Sequence, residues 1–330
     1  MTKQLTTWQF IQNSLLQNIP VMLLYVLQSE GSSPGRQGFF MAVNANGEMA
    51  GSIGGGIMEH KFVEMAKAKL QELGFKVQGE NKSNQQTILK KQVHDKEAAE
   101  NQSGMICSGE QTNLLYLIKQ ADALHIQNIV ASLSDHKNGT LELSPSGLRF
   151  NEITPLQDFE FTMMSTTEWT YKEKTGYKNQ LFIIGGGHCA LALSRLVSSM
   201  DFYIRLFEDR DELNTLEHNA FVHEKIVVED YAQLATLIPS GVNHYVVIMT
   251  VGYRTDYTAL KALLEKDFKY IGVLGSKKKM EKLFAGFQQE HAEKERLNRV
   301  HTPIGISINS HTPEEIAVSI AAEMIMVKNK

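Results

Sequence analysis

Two rhythms of apolar positions share the carboxy-terminal half of the chain. Residues 181–184 form a short apolar run that stops at Gly185-Gly186-Gly187, and Ala190, Leu191, Leu193, Leu196 and Val197 then recur at helical spacing. The predicted order is strand, turn, helix. Residues 202–207, 225–228, 245–249 and 270–274 supply further strands, with helical patterns between the later ones. Strands that alternate with helices predict a parallel α/β sheet. Thr312-Pro313-Glu314-Glu315 reads as an N-cap, a proline at the first helical position and acids suited to the helix dipole, so a last helix is expected over 316–327.

The amino-terminal half is less regular and predicts a mixed α+β domain. A helix is expected near residues 5–17, strands near 21–27 and 39–43, and a second helix after Gly56. Residues 72–111 are polar, with almost no apolar content over 81–86, and are expected to form a mobile excursion. Phe159, Phe161 and Met163 alternate with polar residues, as do Trp169 and Tyr171, which predicts two half-buried strands closing the first domain. The boundary is placed within 175–179, giving domains of 1–177 and 178–330. No internal repeat of solenoid or propeller period is visible.

Composition narrows the function classes. A chain of 330 residues exceeds one ordinary core and fits two domains, and 42% hydrophobic with 21% charged residues is globular rather than disordered. The formal net charge of -4 lacks the basic field of nucleic-acid or anionic-membrane binders. No signal-peptide pattern opens the chain and no apolar stretch nears the roughly 20 residues of a membrane span, so a cytoplasmic location is expected. The two cysteines, Cys107 and Cys189, are far apart and lack CxxC spacing, which argues against a disulfide scaffold or a zinc ribbon.

The candidate chemistry lies in glycine-rich turns. Gly185-x-Gly187-x-x-Ala190 follows a strand and opens a helix, and Glu208 and Asp209 stand 23 and 24 residues beyond Gly185. This is the context of a dinucleotide fingerprint: glycines let backbone N–H groups approach a phosphate, and an acid at the end of the second strand reaches ribose hydroxyls. His188 sits in the turn and is most simply an early helix residue. In the first half, Gly51-Ser52-Ile53-Gly54-Gly55-Gly56 also precedes a helix and is a second candidate anion site. Upstream, Gly31-Ser32-Ser33-Pro34-Gly35-Arg36 ends in a guanidinium able to grip phosphate. Two ordinary turns are the bland alternative.

Seven separated motifs, taken in order, carry a resemblance. Gly31 to Arg36, Gly51 to Gly56 with Glu59, and Met105-Ile106-Cys107-Ser108-Gly109 are similar to successive motifs of the XdhC/CoxI amino-terminal domain. Gly185 to Ala190, Glu208-Asp209-Arg210, Gly272-Val273-Leu274-Gly275-Ser276 with its lysines, and Pro303-Ile304-Gly305-Ile306 through Thr312-Pro313-Glu314-Glu315-Ile316-Ala317 are similar to that family's carboxy-terminal Rossmann domain. The chain departs from the pattern at Ile57, where many members carry cysteine, at Cys107-Ser108-Gly109 in place of Cys-Gly-Gly, and at Thr250-Val251-Gly252-Tyr253, which lacks a histidine although Asp256 remains.

The resemblance implies an accessory protein that binds molybdenum cofactor, supports its sulfuration and passes it to a xanthine dehydrogenase-type molybdoenzyme. A homodimer, and a cysteine desulfurase as a further partner, go with that role. Candidate cofactor contacts are Arg36, Ser52, Gly54, Gly55, Gly56, Cys107, Gly185, Gly187, His188, Glu208, Asp209, Gly275, Ser276 and Lys277, enclosed by a cleft between the domains. Cys107 is also the candidate soft ligand to the metal, because thiolate sulfur suits such centres. No residue set for independent turnover is evident, so the catalytic set is empty. An NAD(P)-dependent oxidoreductase and a nucleotide-sensing adaptor are the rival readings, and Lys277 to Lys279 are equally readable as a solvated helix face.

Overall fold

The computed structural model describes residues 3–74, 87–93, 109–289 and 294–330. The chain divides into two compact units, Met1–Gly176 and Tyr177–Lys330. Among the described residues the strands form three sheets, two antiparallel ones in the first unit and one parallel sheet in the second.

The first unit opens with α1 (Lys3–Leu16), β1 (Val21–Gly31), β2 (Phe40–Asn44), β3 (Met49–Gly51) and α2 (Gly56–Gly74). It continues with β4 (Thr87–Val93), β5 (Gly109–Leu117), α3 (Ala123–Ser134), β6 (Gly139–Ser144), β7 (Gly147–Asn151), β8 (Phe159–Ser165) and β9 (Glu168–Thr175). One sheet has the order β3-β2-β1-β5-β4 and the other β7-β6-β9-β8. β1 reads as an unbroken apolar run because both of its faces are covered. Met22, Leu24 and Val26 pack with Met58 and Phe62 of α2, while Leu23, Tyr25 and Leu27 pack with Trp8, Ile129 and Tyr171.

Three features differ from the expectation for this unit. β1 runs on to Gly31 because its tail pairs with β5, Gly31 opposite Gly109, after a bulge between Val26 and Gln28. The polar segment 72–111 is not one excursion, since 87–93 pairs with β5 as the edge strand β4. Its polarity, with Lys90 and Lys91, is what an edge strand uses to resist further pairing. The 81–86 stretch lies outside the described residues. The helix α3 and the hairpin β6–β7 were not legible.

The second unit runs β10 (Asn179–Ile184), α4 (His188–Val197), β11 (Phe202–Glu208), α5 (Asn214–Glu217), β12 (Glu224–Val227), α6 (Leu234–Leu237) and β13 (Gly241–Ile248). It ends with α7 (Tyr253–Leu263), β14 (Phe268–Val273), α8 (Lys277–Gln289), α9 (Lys294–Asn298), β15 (Val300–His301) and α10 (Pro313–Lys328). The parallel sheet has the order β12-β11-β10-β13-β14-β15 and is of the Rossmann type. Leu181 and Ile183 of β10 pack with α4 and α10, and Phe182 and Ile184 pack with α7 and α8 on the other face. α10 starts as its sequence predicts: the Glu315 N–H donates to the Thr312 hydroxyl at 3.2 Å, and the Thr312 N–H returns to the Glu315 carboxylate at 3.1 Å. Among the described residues no helix is long and apolar enough to cross a membrane.

Candidate functional site

The glycine turn of the second unit is shaped by contact on one side and open space on the other. Gly185 has φ +105°, and a Cβ there would lie 2.5 Å from the Met249 carbonyl oxygen, so the turn presses against the end of β13. Gly187 caps α4 at φ -71°, and its missing Cβ faces nothing within 4 Å. Gly252, the N-cap of α7, is equally open. The amino termini of α4 and α7 thus follow the carboxyl ends of the adjacent strands β10 and β13, where the strand order reverses. Orphan N–H groups and the positive ends of two helix dipoles make such a switch point a cradle for anions.

Beneath this turn lies Glu208, the last residue of β11, which is fully buried. Its Oε2 accepts from the Gly186 N–H at 2.5 Å, its Oε1 accepts from Arg210 Nε at 2.6 Å, and the Thr215 hydroxyl holds the Gly186 carbonyl at 2.5 Å. Burial alone would raise the Glu208 carboxyl, but hydrogen bonds from Arg210, Asp209 and the Gly186 N–H outweigh it and hold the group below its ordinary value. Burial and the adjacent Glu208 push Asp209 the other way, above its ordinary value. Asp209 also accepts from the Tyr231 hydroxyl at 3.3 Å.

A second buried carboxylate flanks the cradle. Asp256, in the first turn of α7, accepts from the Thr250 N–H at 3.1 Å and the Thr250 hydroxyl at 2.5 Å, and it pairs with the Lys279 ammonium. Lys279 also donates to the Leu274 carbonyl at 3.2 Å, so α7 and α8 are tied together at the carboxyl ends of β13 and β14. Lys277 and Lys278 are exposed, and Ser276 caps α8 by accepting the Lys279 N–H at 3.3 Å. Sequence reading singled out Lys277 and missed Lys279. The available signal was position, since Lys279 adjoins the apolar stripe Met280, Leu283 and Phe287 that α8 buries.

The amino-terminal glycine turn has a different character. Gly51, Gly54, Gly55 and Gly56 all have positive φ, and Ile53 between them is fully buried. One oxygen of Glu59 accepts from the Ser52 hydroxyl at 2.7 Å, the Ile53 N–H at 2.9 Å and the Gly55 N–H at 3.0 Å. The Ser52 N–H is spent on the Phe40 carbonyl at 3.0 Å, and the Gly54 N–H on the Ser52 hydroxyl at 3.1 Å. The turn therefore already contains an anion, the carboxylate of its own helix.

The motifs Gly31 to Arg36 and Gly51 to Gly56 meet at this turn, and Gly109, the described end of the third motif, packs against the first. A Cβ on Gly35 would overlap the Ile53 carbonyl oxygen, and one on Gly109 would come within 2.7 Å of the Ser32 carbonyl carbon. Gln111 Oε1 accepts from the Ser33 hydroxyl and, at 3.2 Å, from the Gly35 N–H. Arg36 is exposed and donates from Nη1 to the Gly31 carbonyl at 2.9 Å. Cys107 lies outside the described residues. His188 is exposed at the start of α4, and burial with the nearby Glu314 pushes the half-buried Cys189 thiol up, which leaves it a poor nucleophile. Among the described residues no group of three His, Cys, Asp or Glu side chains is placed to hold a metal.

Comparison with known proteins bears on both units. The family model described as the XdhC Rossmann domain matches residues 181–324, and the model of the XdhC and CoxI family matches residues 14–78. The chain is 23% identical over 325 residues to the uncharacterized protein YqeB of Escherichia coli (strain K12), a match that covers 95% of this chain but only 44% of that protein. It is 23% identical over 328 residues to a probable xanthine dehydrogenase subunit of Bacillus subtilis (strain 168), covering 94% of this chain and 93% of the relative. A crystal structure named as a xanthine dehydrogenase from Bacillus halodurans matches with a TM-score of 0.69 at 23% identity, covering 100% of this chain and 96% of that one. At that identity the structural match shows the fold.

Proposed function

Because the chain belongs to the XdhC/CoxI family and carries an XdhC Rossmann domain in its second unit, we propose that it is a molybdenum cofactor carrier for xanthine dehydrogenase-type molybdoenzymes. In this reading it binds the cofactor, supports its sulfuration and hands it to the client. The family is associated with xanthine dehydrogenase maturation, and nearly the whole chain aligns with a relative named as a xanthine dehydrogenase subunit. The observation that carries the reading is the pairing of that family match with an open anion cradle at Gly187 and Gly252.

The cofactor is a pterin with a dithiolene and a phosphate, and when bound it supplies the molybdenum centre destined for the client. The cradle fits such a group because a side chain at Gly187 or Gly252 would stand in open space. Gly185, Gly187 and the first turn of α4 with His188 would bind and orient the anionic end, with Gly275, Ser276 and Lys277 supplying further donors. Arg36, Ser52 and Gly54 to Gly56 form a second proposed contact set, which a ligand would enter by displacing the Glu59 carboxylate, and Cys107 is the proposed soft thiolate ligand. A carrier acts by differential binding, releasing its cargo to a client that binds it more tightly.

The test is molybdenum content and activity per purified client dehydrogenase, with and without this protein. Loss of both at unchanged client abundance is the expected result, restored by the parent chain. Normal loading in its absence would remove the carrier reading and favour the second one, an NAD(P)-dependent oxidoreductase, which the strand order of the parallel sheet supports. Rescue by Cys107→Ala equal to the parent would leave the carrier role and exclude the thiol.

A further inference from the structure

In a dinucleotide-binding sheet the acid that ends the second strand reads the ribose diol. Here that residue is Glu208, and its carboxylate is turned inward. It has no exposed surface, and each oxygen is engaged, one by the Gly186 N–H and the other by Arg210 Nε. A ribose hydroxyl could reach it only by displacing the groups that cover it, which include the partners of two short bonds at 2.5 and 2.6 Å. Asp209, the next acid, is turned to its own neighbours as well: its Oδ1 accepts from the Tyr231 hydroxyl at 3.3 Å and lies 3.7 Å from Arg210 Nε. The open space lies instead above Gly187, and the Arg210 guanidinium is joined to the turn through the single Glu208 carboxylate.

We infer that Glu208 is a positioning residue that braces the glycine turn, and that the second unit takes its ligand by a phosphate group without reading a ribose 2′-hydroxyl. This deepens the carrier reading: it assigns the phosphate anchor to the Gly185 to Gly187 turn rather than to the amino-terminal turn, where Glu59 already takes the Ile53 and Gly55 N–H groups. The shared ligand chemistry is a phosphate ester, carried either on a pterin or on a nucleotide. Brace and reader predict opposite selectivity. A reader of the diol discriminates strongly against a deoxyribose, because a lost charged hydrogen bond is worth about 10- to 100-fold. A brace does not discriminate.

The experiment is titration of the full chain with ADP and with 2′-deoxy-ADP, followed calorimetrically, for the parent, Gly187→Val and Glu208→Gln. The parent is expected to bind the two nucleotides within about 2-fold of each other, and Gly187→Val to lose both by at least about 10-fold while remaining folded. Glu208→Gln should weaken both equally, since a looser turn presents its N–H groups less well to any phosphate. A 10-fold preference of the parent for ADP that Glu208→Gln abolishes would overturn the inference and make Glu208 a ribose reader. Absence of binding by either nucleotide to the folded parent at millimolar concentration, or unchanged binding in Gly187→Val, would also overturn it. A further arm separates the two phosphate sources. Chain purified from cells that make molybdenum cofactor is washed with ADP, and retained pterin is read by its fluorescence. Release by ADP places the pterin phosphate in the same cradle, and retention despite ADP binding refutes the shared anchor. The client's molybdenum content is independent of all these readouts, so the carrier reading and this inference fail separately.

Discussion

The two glycine-rich turns look alike as text and differ as physical objects. Both put several glycines between a strand and a helix, yet one has closed around a carboxylate and the other opens on space. In the first, four glycines take positive φ so that the backbone can wrap Glu59, and Gly35 and Gly54 press main chain against main chain. In the second, Gly185 makes the tightest approach, to Met249, and Gly186 a lesser one to Glu208, while Gly187 has an ordinary negative φ and no neighbour within 4 Å. What a Cβ would meet therefore separates a glycine that packing demands from one that packing leaves free.

The sharpest test of that difference is a matched pair of valines. Gly54→Val introduces a β-branched residue at φ +122° against the Gly35 backbone, so strain and overpacking together should cost about 3 kcal/mol or more in chemical denaturation. Gly187→Val should cost less than about 1 kcal/mol, because its backbone is ordinary and the space is open. Equal losses at the two positions would erase the distinction.

A smaller effect is expected from Glu59→Ala, which strips three donors of their acceptor. A charged acceptor of this kind is worth about 1.5 to 3 kcal/mol, toward the low end for a partly exposed carboxylate. If the turn then binds inorganic phosphate with recovery of stability, Glu59 is a built-in substitute for a ligand. If denaturation is unchanged, the carboxylate is an accessory of the turn and the contrast with Gly187 weakens.

Acid denaturation probes the brace under the open turn. Glu208 is held below its ordinary value of 4.5, so it contributes stability that is present above that value and is lost as pH falls through the lowered one. Asp209 is raised and acts in the opposite sense, so the informative quantity is the difference between parent and Glu208→Gln. The parent should be the more stable at neutral pH, and the gap should narrow below about pH 4. A gap independent of pH would mean that the carboxylate charge does not hold the turn.

How much of this was legible follows from which interactions are local. The parallel sheet was readable because each strand is an apolar run and each turn carries its own glycines or cap, as with residues 181–187 and Thr312 to Glu315. The antiparallel unit was readable only in part: α1, β1, β2, α2, β8 and β9 stood in the apolar pattern, whereas β4 is a polar edge strand whose identity comes from pairing with β5. The site shows the same division. The glycines were visible, whereas the inward turn of Glu208 and the Asp256–Lys279 pair depend on side-chain direction and on contacts between separate helices. Nothing in the text of the motif distinguishes an acid that faces a ribose from one that faces its own backbone.

The smallest expected effect belongs to Arg36, and it decides whether the amino-terminal turn contributes to anion binding at all. Its guanidinium is exposed and makes a hydrogen bond to the Gly31 carbonyl, so Arg36→Ala should change stability by less than about 1 kcal/mol. With the phosphate anchor at Gly187, the substitution should also leave ADP affinity within about 2-fold of the parent. Retained pterin is the finer readout. If Arg36 grips the cofactor's phosphate, Arg36→Ala must release more pterin than Arg36→Lys, because lysine keeps the charge while losing the planar fork. Release by Arg36→Ala that exceeds release by Gly187→Val would move the phosphate anchor to the amino-terminal unit. It would also mean that Glu59 yields its place in that turn when the ligand arrives.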